Sequence, residues 1–305
     1  MRWGDFRRSE NVEDRTEGEP EGAGGGSPIG GLHIGGGALI ILVIVGMLFG
    51  INPLEMLGLL GGDSGNVQQA APTAPPAGYG PQTGTTPAPS SQAAVNKDFS
   101  TAVLGDTEDV WSAIFKAMGS RYVPPKLVLY RGVTPSACGR ATAAVGPFYC
   151  PGDRDLYLDT SFFNELHTRF GATGEFAQAY VIAHEVGHHV QNLLGTMDRV
   201  QAQMQRGDER SAKALSVRLE LQADCYAGVW GFYAQKRNLI DAQDVDSGLR
   251  AAAAVGDDRI QKRTQGYVVP DSFTHGSAEQ RTQWFKTGLE SGDWRDCDTF
   301  KTRSP

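Results

Sequence analysis

Apolar residues recur with helical spacing through much of the second half of the chain. Between residues 175 and 194 they fall on one side of a helix, which predicts an amphipathic helix that ends at Gly195. The same pattern predicts a long helix over residues 208–236 and a shorter one over residues 241–255. A further helix should begin at Ser277, where the sequence SAEQ can form a capping box.

Upstream of these helices the pattern mixes helix with short strands. Residues 106–119 have one apolar face and should form a helix capped by Asp106 or Thr107. KLVLY, residues 126–130, is typical of a strand, and AVGPFYC and DLYLD flank the turn PGDR as in a hairpin. With a helix over residues 161–170, the pattern predicts an α+β fold that is mostly helical with a small sheet.

Residues 34–51, IGGGALIILVIVGMLFGI, carry no charge and are long enough to cross a bilayer as a helix. Four arginines precede them and no Lys or Arg occurs between residues 52 and 96, so the positive-inside rule places residues 1–33 in the cytoplasm. A cleaved signal peptide is the competing interpretation, but its charged region would be unusually long. We therefore expect a single-pass transmembrane helix in the inner (cytoplasmic) membrane.

Residues 61–96 are rich in Pro, Gly and Ala and should form a flexible, disordered linker, because they cannot bury enough apolar surface to fold. Residues 97–305 then form one extracytoplasmic domain, in the periplasm or at the cell exterior. Hydrophobic residues make up 40% of the chain, which allows a buried core. The formal net charge is −7, and residues 97–305 hold nearly equal numbers of acids and bases without a basic stripe. We therefore expect no nucleic-acid partner.

The stretch AYVIAHEVGHHVQNLLG, residues 179–195, carries side chains that bind metals or transfer protons. His184 and His188 are four residues apart and face the same side of a helix, where both can reach one ion. A catalytic zinc takes such ligands and keeps one position for water, beside which Glu185 would act as general base. This is the H-E-x-x-H arrangement, and a chance match is disfavoured because unpaired polar groups are costly in so apolar a helix. His189 should lie next to this set or at the surface.

Two histidines leave the third protein ligand open. The spacing H-x-x-G-x-x-H is excluded because positions 191 and 194 hold Gln and Leu. Asp198 follows the helix so closely that the chain would have to turn back at once. Glu220 lies in the mainly apolar stretch LELQADCYAG, where a buried carboxylate needs a partner, and we favour it as the ligand. Asp224, one turn further on, would accept the other ring N–H of a ligand histidine.

Several longer motifs resemble a known peptidase family. H-E-V-G-H-H followed further on by E-x-x-x-D resembles the gluzincin metallopeptidases. GPFYCP, AYVIAHEVGHHVQNLLG, ELQADCYAGVW, THGSAEQR and the opening MRWGDFRRSENVEDR are similar to the YpfJ-like family of bacterial neutral zinc metallopeptidases, over nearly the whole chain except the linker. The resemblance implies a zincin-like domain with His184, His188 and Glu220 as ligands of one catalytic zinc and Glu185 as base. It implies no particular substrate.

A further histidine, His275, stands on a loop just before the helix that begins at Ser277. Over the site, its imidazole would stabilise the tetrahedral oxyanion, as electrophilic donors do in such hydrolases. The loop position and the resemblance favour this catalytic role. The alternative is a loop histidine that caps or packs.

The four cysteines are not in C-x-x-C spacing, which gives little support for a structural zinc site. An even number in a part placed outside the cytoplasm favours disulfides. Cys138 and Cys150 bracket a short stretch and pair naturally. That leaves Cys225 with Cys297, which would pin the C-terminal tail to the Glu220 helix. Four reduced thiols are the alternative if the orientation is reversed.

Together these features predict a membrane-anchored zinc endopeptidase that cuts peptide or protein substrates, with the substrate paired along the strand of GPFYC or of DLYLD. A catalytically silent, zinc-stabilised binding or scaffold module of the envelope is the alternative. The presence of Glu185 favours the enzyme, because a purely structural site needs no base beside an open coordination position. A metal hydrolase acting on something other than peptide is a weaker third interpretation.

Overall fold

The structure, a computed structural model, describes residues 1–16, 91–142, 145–168 and 174–302. Within these ranges the α-helices are α1 (Ser91–Ala117), α2 (Phe162–Thr168), α3 (Glu175–Leu193), α4 (Thr196–Met204), α5 (Glu209–Lys236), α6 (Ala242–Ala254), α7 (Asp257–Gln265) and α8 (Ala278–Ser291). The strands are β1 (Val12–Asp14), β2 (Lys126–Tyr130), β3 (Val133–Ser136), β4 (Gly139–Thr142), β5 (Phe148–Cys150) and β6 (Asp155–Asp159). The expectation of a mostly helical α+β fold with a small sheet is confirmed.

Four strands form one sheet in the order β1-β2-β6-β5, and β3 pairs with β4 in a separate antiparallel ribbon. Strands β1, β2 and β6 run parallel, with Leu127 of β2 opposite Val12 and Leu156, whereas β5 runs antiparallel to β6. The predicted strand KLVLY and the predicted hairpin around PGDR are therefore confirmed. The four residues of β2 after Lys126 are all buried, because the strand is covered on both faces, as a continuous apolar run indicates.

The helix ends that carry local signals lie where the sequence places them. Gly195 follows α3 with a φ of 69°, the left-handed conformation that glycine adopts without strain. Ser277 caps α8: its side chain accepts the Gln280 N–H, and the Gln280 side chain accepts the Ser277 N–H. These reciprocal bonds are the predicted capping box.

Helix α1 begins earlier than predicted. It starts at Ser91, inside the segment expected to be linker, because an apolar face that includes Phe99 and Val103 continues the pattern in the N-terminal direction. Asp106 is therefore not a cap but a buried residue in mid-helix. Its carboxylate accepts hydrogen bonds from Trp230 Nε1 at 2.8 Å and from the Arg237 guanidinium at 2.7 and 2.9 Å.

Two glycines allow three helices to lie close together around the candidate site. Helix α5 packs against both α3 and α8. A Cβ atom added to Gly187 of α3 would lie 2.8 Å from the Ala223 carbonyl oxygen of α5, closer than real Cβ contacts. A Cβ atom on Gly288 of α8 would overlap the Cys225 carbonyl oxygen of α5. Glycine at these two positions therefore sets the distances over which side chains of α3, α5 and α8 meet.

The N-terminal segment, residues 1–16, is part of this fold. Its strand β1 forms one edge of the main sheet, and Phe6 is buried in the main hydrophobic core. Two of its arginines form three ion pairs with carboxylates of α1, namely Arg7–Glu108, Arg7–Asp109 and Arg8–Asp98. The segment and the domain that begins with α1 therefore share one core.

This packing corrects the predicted membrane topology. A single crossing at residues 34–51 would put residues 1–33 and residues 97–305 on opposite sides of the membrane, whereas residues 1–16 pair directly with β2 and α1. Within the part of the chain that the structure describes, no helix is long and apolar enough to cross a membrane. Residues 34–51 and the linker up to residue 90 lie outside that part. The expected single-pass, inner-membrane arrangement is therefore wrong.

Both predicted disulfides are present. Cys138–Cys150 joins the turn of the β3–β4 ribbon to β5, and Cys225–Cys297 joins α5 to the 3-10 helix that follows α8. These two bridges account for all four cysteines of the sequence. The second bridge holds the C-terminal tail against the helix that carries Glu220, as expected.

Candidate active site

Two helices bring three potential metal ligands together. His184 and His188 lie one turn apart on α3, and Glu220 faces them from α5: its carboxylate oxygens are 3.2 Å from His184 Nε2 and 3.5 Å from His188 Nε2. One donor atom from each residue lies within 4.8 Å of the others, and the described residues contain no second such group of His, Cys, Asp or Glu. Asp198, the other candidate third ligand, lies on α4 and is not part of this group.

The donor set and its electrostatics fit a zinc ion. Two imidazole nitrogens and one carboxylate oxygen are a ligand set that catalytic zinc takes. Burial disfavours charge on His184, but Asp224 and Glu220 outweigh this effect and raise its pKa to about 10. Burial also opposes ionisation of Glu220, yet nearby histidines hold its pKa well below the usual range. The cluster therefore stabilises positive charge at the place where the donor atoms converge.

Asp224 supports His184 from behind and is itself held by a buried cation. Its Oδ1 lies 2.9 Å from His184 Nδ1, the contact expected of a carboxylate that fixes the tautomer of a ligand histidine. Arg281 of α8 donates to both Asp224 oxygens, at 2.8 and 2.9 Å, and Tyr180 also donates its hydroxyl to Asp224. Asp224 is fully buried, so the guanidinium balances a charge that water cannot reach.

Glu185 is buried beside the two histidines. Burial raises the pKa of its carboxyl group, although the charges of His184 and His188 oppose the change. A carboxyl group whose pKa moves toward neutrality is suited to accept and return a proton. The structure thus places the predicted base on the same helix as the two histidines.

His189 has a different position from the one expected. It is only 1% exposed, and its ring contacts the Val123 carbonyl oxygen at 2.7 Å and the Tyr149 hydroxyl at 3.2 Å. Burial lowers its pKa to about 4, so the ring is neutral at ordinary pH. His189 is therefore a core residue that joins α3 to β5, on a different face from the potential ligands.

His275 is buried on its loop and held by a carboxylate that the sequence did not single out. Its Nδ1 is 3.0 Å from Asp257 Oδ1. The other oxygen of Asp257 accepts the backbone N–H groups of Thr274 and His275 at 2.6 and 2.7 Å. The next residue, Gly276, lies against Leu221 and Val217 of α5, so the loop that carries His275 packs against the helix that carries Glu220.

Sequence reasoning missed Arg281, Asp257 and Gln191. Arg281 lies in the motif THGSAEQR, and a buried carboxylate such as Asp224 requires a cation, but nothing in the sequence connects these two residues. Gln191 follows His188 by three residues and so shares its helix face; its Oε1 is 2.9 Å from His188 Nδ1. Asp257 carries no local signal that connects it to His275.

A family model described as "Putative neutral zinc metallopeptidase" matches residues 1–300. The chain belongs to this family. It is similar to YpfJ of Escherichia coli, with 44% identity over 308 residues that cover 98% of this chain and 99% of YpfJ. It is also similar to Rv2575 of Mycobacterium tuberculosis, with 47% identity over 199 residues that cover 62% of this chain and 66% of that protein. No solved structure matches the chain.

Membership confirms the expected resemblance and supports a zinc-dependent peptidase, and hence a hydrolase. It also implies zinc as the metal for the site formed by His184, His188 and Glu220. The match begins at residue 1, in agreement with the packing of the N-terminal segment into the fold.

Proposed function

We propose that the protein is a zinc-dependent endopeptidase, with His184, His188 and Glu220 holding one catalytic ion. The observation that carries the proposal is the buried carboxyl group of Glu185 beside three converging ligands. A zinc ion bound there supplies a Lewis acid that acidifies a water molecule and polarises the scissile carbonyl group. A site that only stabilises a fold has no use for such a base.

Glu185 moves the protons. Its carboxylate accepts a proton from the attacking water and later donates that proton to the leaving amine, so one residue is base and then acid. The Asp224–Arg281 pair takes no part in proton transfer. It holds the His184 ring, with Nδ1 in contact with Asp224 and Nε2 directed toward Glu220, where it would be available to bind the ion.

His275 is proposed to stabilise the negative charge that develops on the carbonyl oxygen. With Nδ1–H donated to Asp257, the ring can also donate from Nε2 only as the imidazolium, and this doubly protonated ring is the form proposed to donate toward the substrate oxygen. Asp257 also binds the loop backbone on either side of this histidine, so the donor is held in place before the substrate arrives.

An extended substrate is proposed to pair with β5. Of the two strands considered from the sequence, β6 pairs with β2 on one side and β5 on the other and has no free edge. Among the described strands, β5 is the last on its side of the sheet, and Tyr149 joins it to α3 through His189. A strand edge binds peptide backbone largely independently of side chains and lets a chain continue past the site in both directions, which suits an endopeptidase.

Glu185→Gln in the full-length protein tests the proposal. The variant should keep one zinc per chain and lose casein cleavage by roughly a hundred- to ten-thousand-fold, the usual contribution of a general base. His184→Ala should lose both metal and cleavage, whereas Glu290→Gln, at an exposed position of α8, should keep both. Full activity of Glu185→Gln would refute the assignment. Zinc binding without cleavage by the wild-type protein would favour the catalytically silent module.

A further inference from the structure

A line of neutral hydrogen bonds leads from His188 to the C-terminal tail. His188 Nδ1 lies 2.9 Å from Gln191 Oε1, and Gln191 Nε2 lies 3.2 Å from Gln222 Oε1. Gln222 Nε2 in turn lies 2.9 Å from the Cys297 carbonyl oxygen. Both glutamines and Cys297 are buried, so water does not compete for these bonds.

The direction of every bond in this line is set by backbone carbonyl groups, which can only accept. The Cys297 oxygen requires Nε2 of Gln222 to point toward the tail, which leaves Gln222 Oε1 facing Gln191. The Leu219 oxygen, 2.7 Å from Gln191 Nε2, orients Gln191 in the same sense. Gln191 Oε1 therefore faces His188 as an acceptor, and the proton of the neutral His188 ring must be on Nδ1.

The tail itself is firmly attached to α5. Cys297 is bonded to Cys225 of that helix. Beyond it, the Thr299 hydroxyl donates to the Arg218 carbonyl oxygen at 2.7 Å, and the Arg218 guanidinium donates to the Thr302 carbonyl oxygen at 3.0 Å. The Cys297 carbonyl group is thus a fixed point relative to the helix that carries Glu220.

We propose that the tail, residues 297–302, helps to position a ligand of the metal site. Fastened by Cys225–Cys297, it acts through Gln222 and Gln191 to keep His188 in the Nδ1–H tautomer, so that the Nε2 lone pair is available to the ion. Gln191 and Gln222 are positioning residues, since neither reaches the ion or the substrate. This inference rests on the proposed zinc site. Substituting a residue that hydrogen-bonds to a ligand histidine usually changes the metal affinity by about 10- to 100-fold.

Zinc affinity of the full-length variants, measured by chelator competition with zinc alone, is the first test. Gln191→Leu and Gln222→Leu should each weaken binding, by about 10- to 100-fold for Gln191→Leu. The double variant should lose no more than Gln191→Leu alone, because both residues act through one chain of bonds. Gln235→Leu, at an exposed position of the same helix as Gln222, should leave the affinity unchanged. Unchanged affinity in Gln191→Leu, or additive losses in the double variant, would overturn the inference.

The two disulfides provide a second, matched comparison. Replacing Cys225 and Cys297 with serine should weaken zinc binding, because the Cys297 carbonyl group is no longer held in place. Replacing Cys138 and Cys150 with serine removes the other bridge and should leave zinc affinity within about twofold, since no bond in the line involves it. Equal effects of the two double variants would contradict a specific role for the tail.

Nitrogen NMR of the wild-type, zinc-loaded protein decides the question even if a variant fails to fold. The inference requires a proton on His188 Nδ1 and zinc on Nε2; the opposite assignment would overturn it. A wild-type protein that binds no zinc would sink the proposed function itself. If the wild-type protein binds zinc tightly and Gln191→Leu binds it equally well, only the proposed role of the tail would be refuted.

Discussion

On the two sides of the candidate metal site, the histidines are held by different chemistry. His184 is supported by Asp224, whose negative charge is balanced by the buried guanidinium of Arg281. His188 is supported by Gln191, a neutral amide that continues into a second neutral amide. Both arrangements leave Nε2 directed toward Glu220. The two rings are oriented alike, but removing the support of one ring should change the stability of the protein differently from removing the support of the other.

The difference lies in what each support leaves behind. Loss of one partner of a buried ion pair leaves an unpaired charge in a low-dielectric interior, which lowers the free energy of unfolding of the whole protein. Loss of a neutral amide leaves dipoles that are far less costly to bury alone. The His184 side therefore couples the site to global stability, whereas the His188 side can change metal affinity with little effect on the fold.

Arg281→Met should have the largest effect on stability. It removes the cation that balances fully buried Asp224, and breaking a buried pair in this way costs about 3–5 kcal/mol. Urea denaturation of metal-free protein would measure the free energy of unfolding. Arg250→Met, which removes an exposed i,i+4 pair with Asp246, is the control and should change it by less than about 0.5 kcal/mol. A loss below about 1 kcal/mol in Arg281→Met would remove the contrast between the two sides.

Asp257→Asn extends the comparison to the charged support of His275 and should cost about 1.5–3 kcal/mol at neutral pH. Burial raises the pKa of Asp257, but His275 and the loop N–H groups outweigh it, so the net pKa is lowered. The carboxylate therefore stabilises the fold above the ordinary carboxyl pKa, and this contribution disappears as pH falls through the lowered value. Unfolding free energies measured from neutral to acid pH should converge for variant and wild type. A constant gap would show that the charge is not what matters.

Gly187→Ala should disturb both sides together, because an added Cβ forces α3 away from Ala223 of α5. Overpacking of this kind costs about 1–3 kcal/mol, and zinc affinity should fall with it because Glu220 moves with α5. Thermal unfolding and chelator competition on the same samples would show the joint loss. Gly4→Ala, where an added Cβ meets nothing within 4 Å, should change neither measurement.

Gln222→Leu should have the smallest effect on stability, about 0.5–1.5 kcal/mol, as expected for neutral hydrogen bonds. Set beside Arg281→Met, this variant separates the two supports: it should lose zinc affinity out of proportion to its loss of unfolding free energy. Urea denaturation in metal-free buffer would measure the unfolding free energy. A loss as large as that of Arg281→Met would mean that the neutral side is as structural as the charged one.

The parts of the site that could be predicted are those encoded by local spacing. Residues four apart on a helix must share a face, so His184 and His188 follow from the pattern alone. Glu220 was identifiable because a carboxylate in an apolar helix needs a partner. Arg281 was not, since it meets Asp224 only because Gly288 allows α8 to approach α5 closely, and no local pattern reports that distance.

The predicted topology failed for a physical reason that lies in particular arginines. The positive-inside rule counts charges near an apolar segment as signals of orientation. Here Arg7 and Arg8 are partners of acidic residues on α1, and Arg15 donates to Thr134 of β3. Their charges are used within the fold. Strand β1 was missed as well, because three residues are too short to show a pattern and gain their structure only from the edge of β2.

The place of β1 also has a consequence for how the molecule is assembled. Residues 12–14 pair with residues 127–129, which are synthesised more than a hundred residues later. The opening segment must therefore wait, unpaired, until β2 exists, and contacts so distant in sequence form slowly. A fragment that starts at residue 91 would expose the edge of β2 and the apolar residues that Phe6 covers. Such an exposed strand edge can pair with the same edge of another copy. Preparations of the folded domain should thus keep its first sixteen residues.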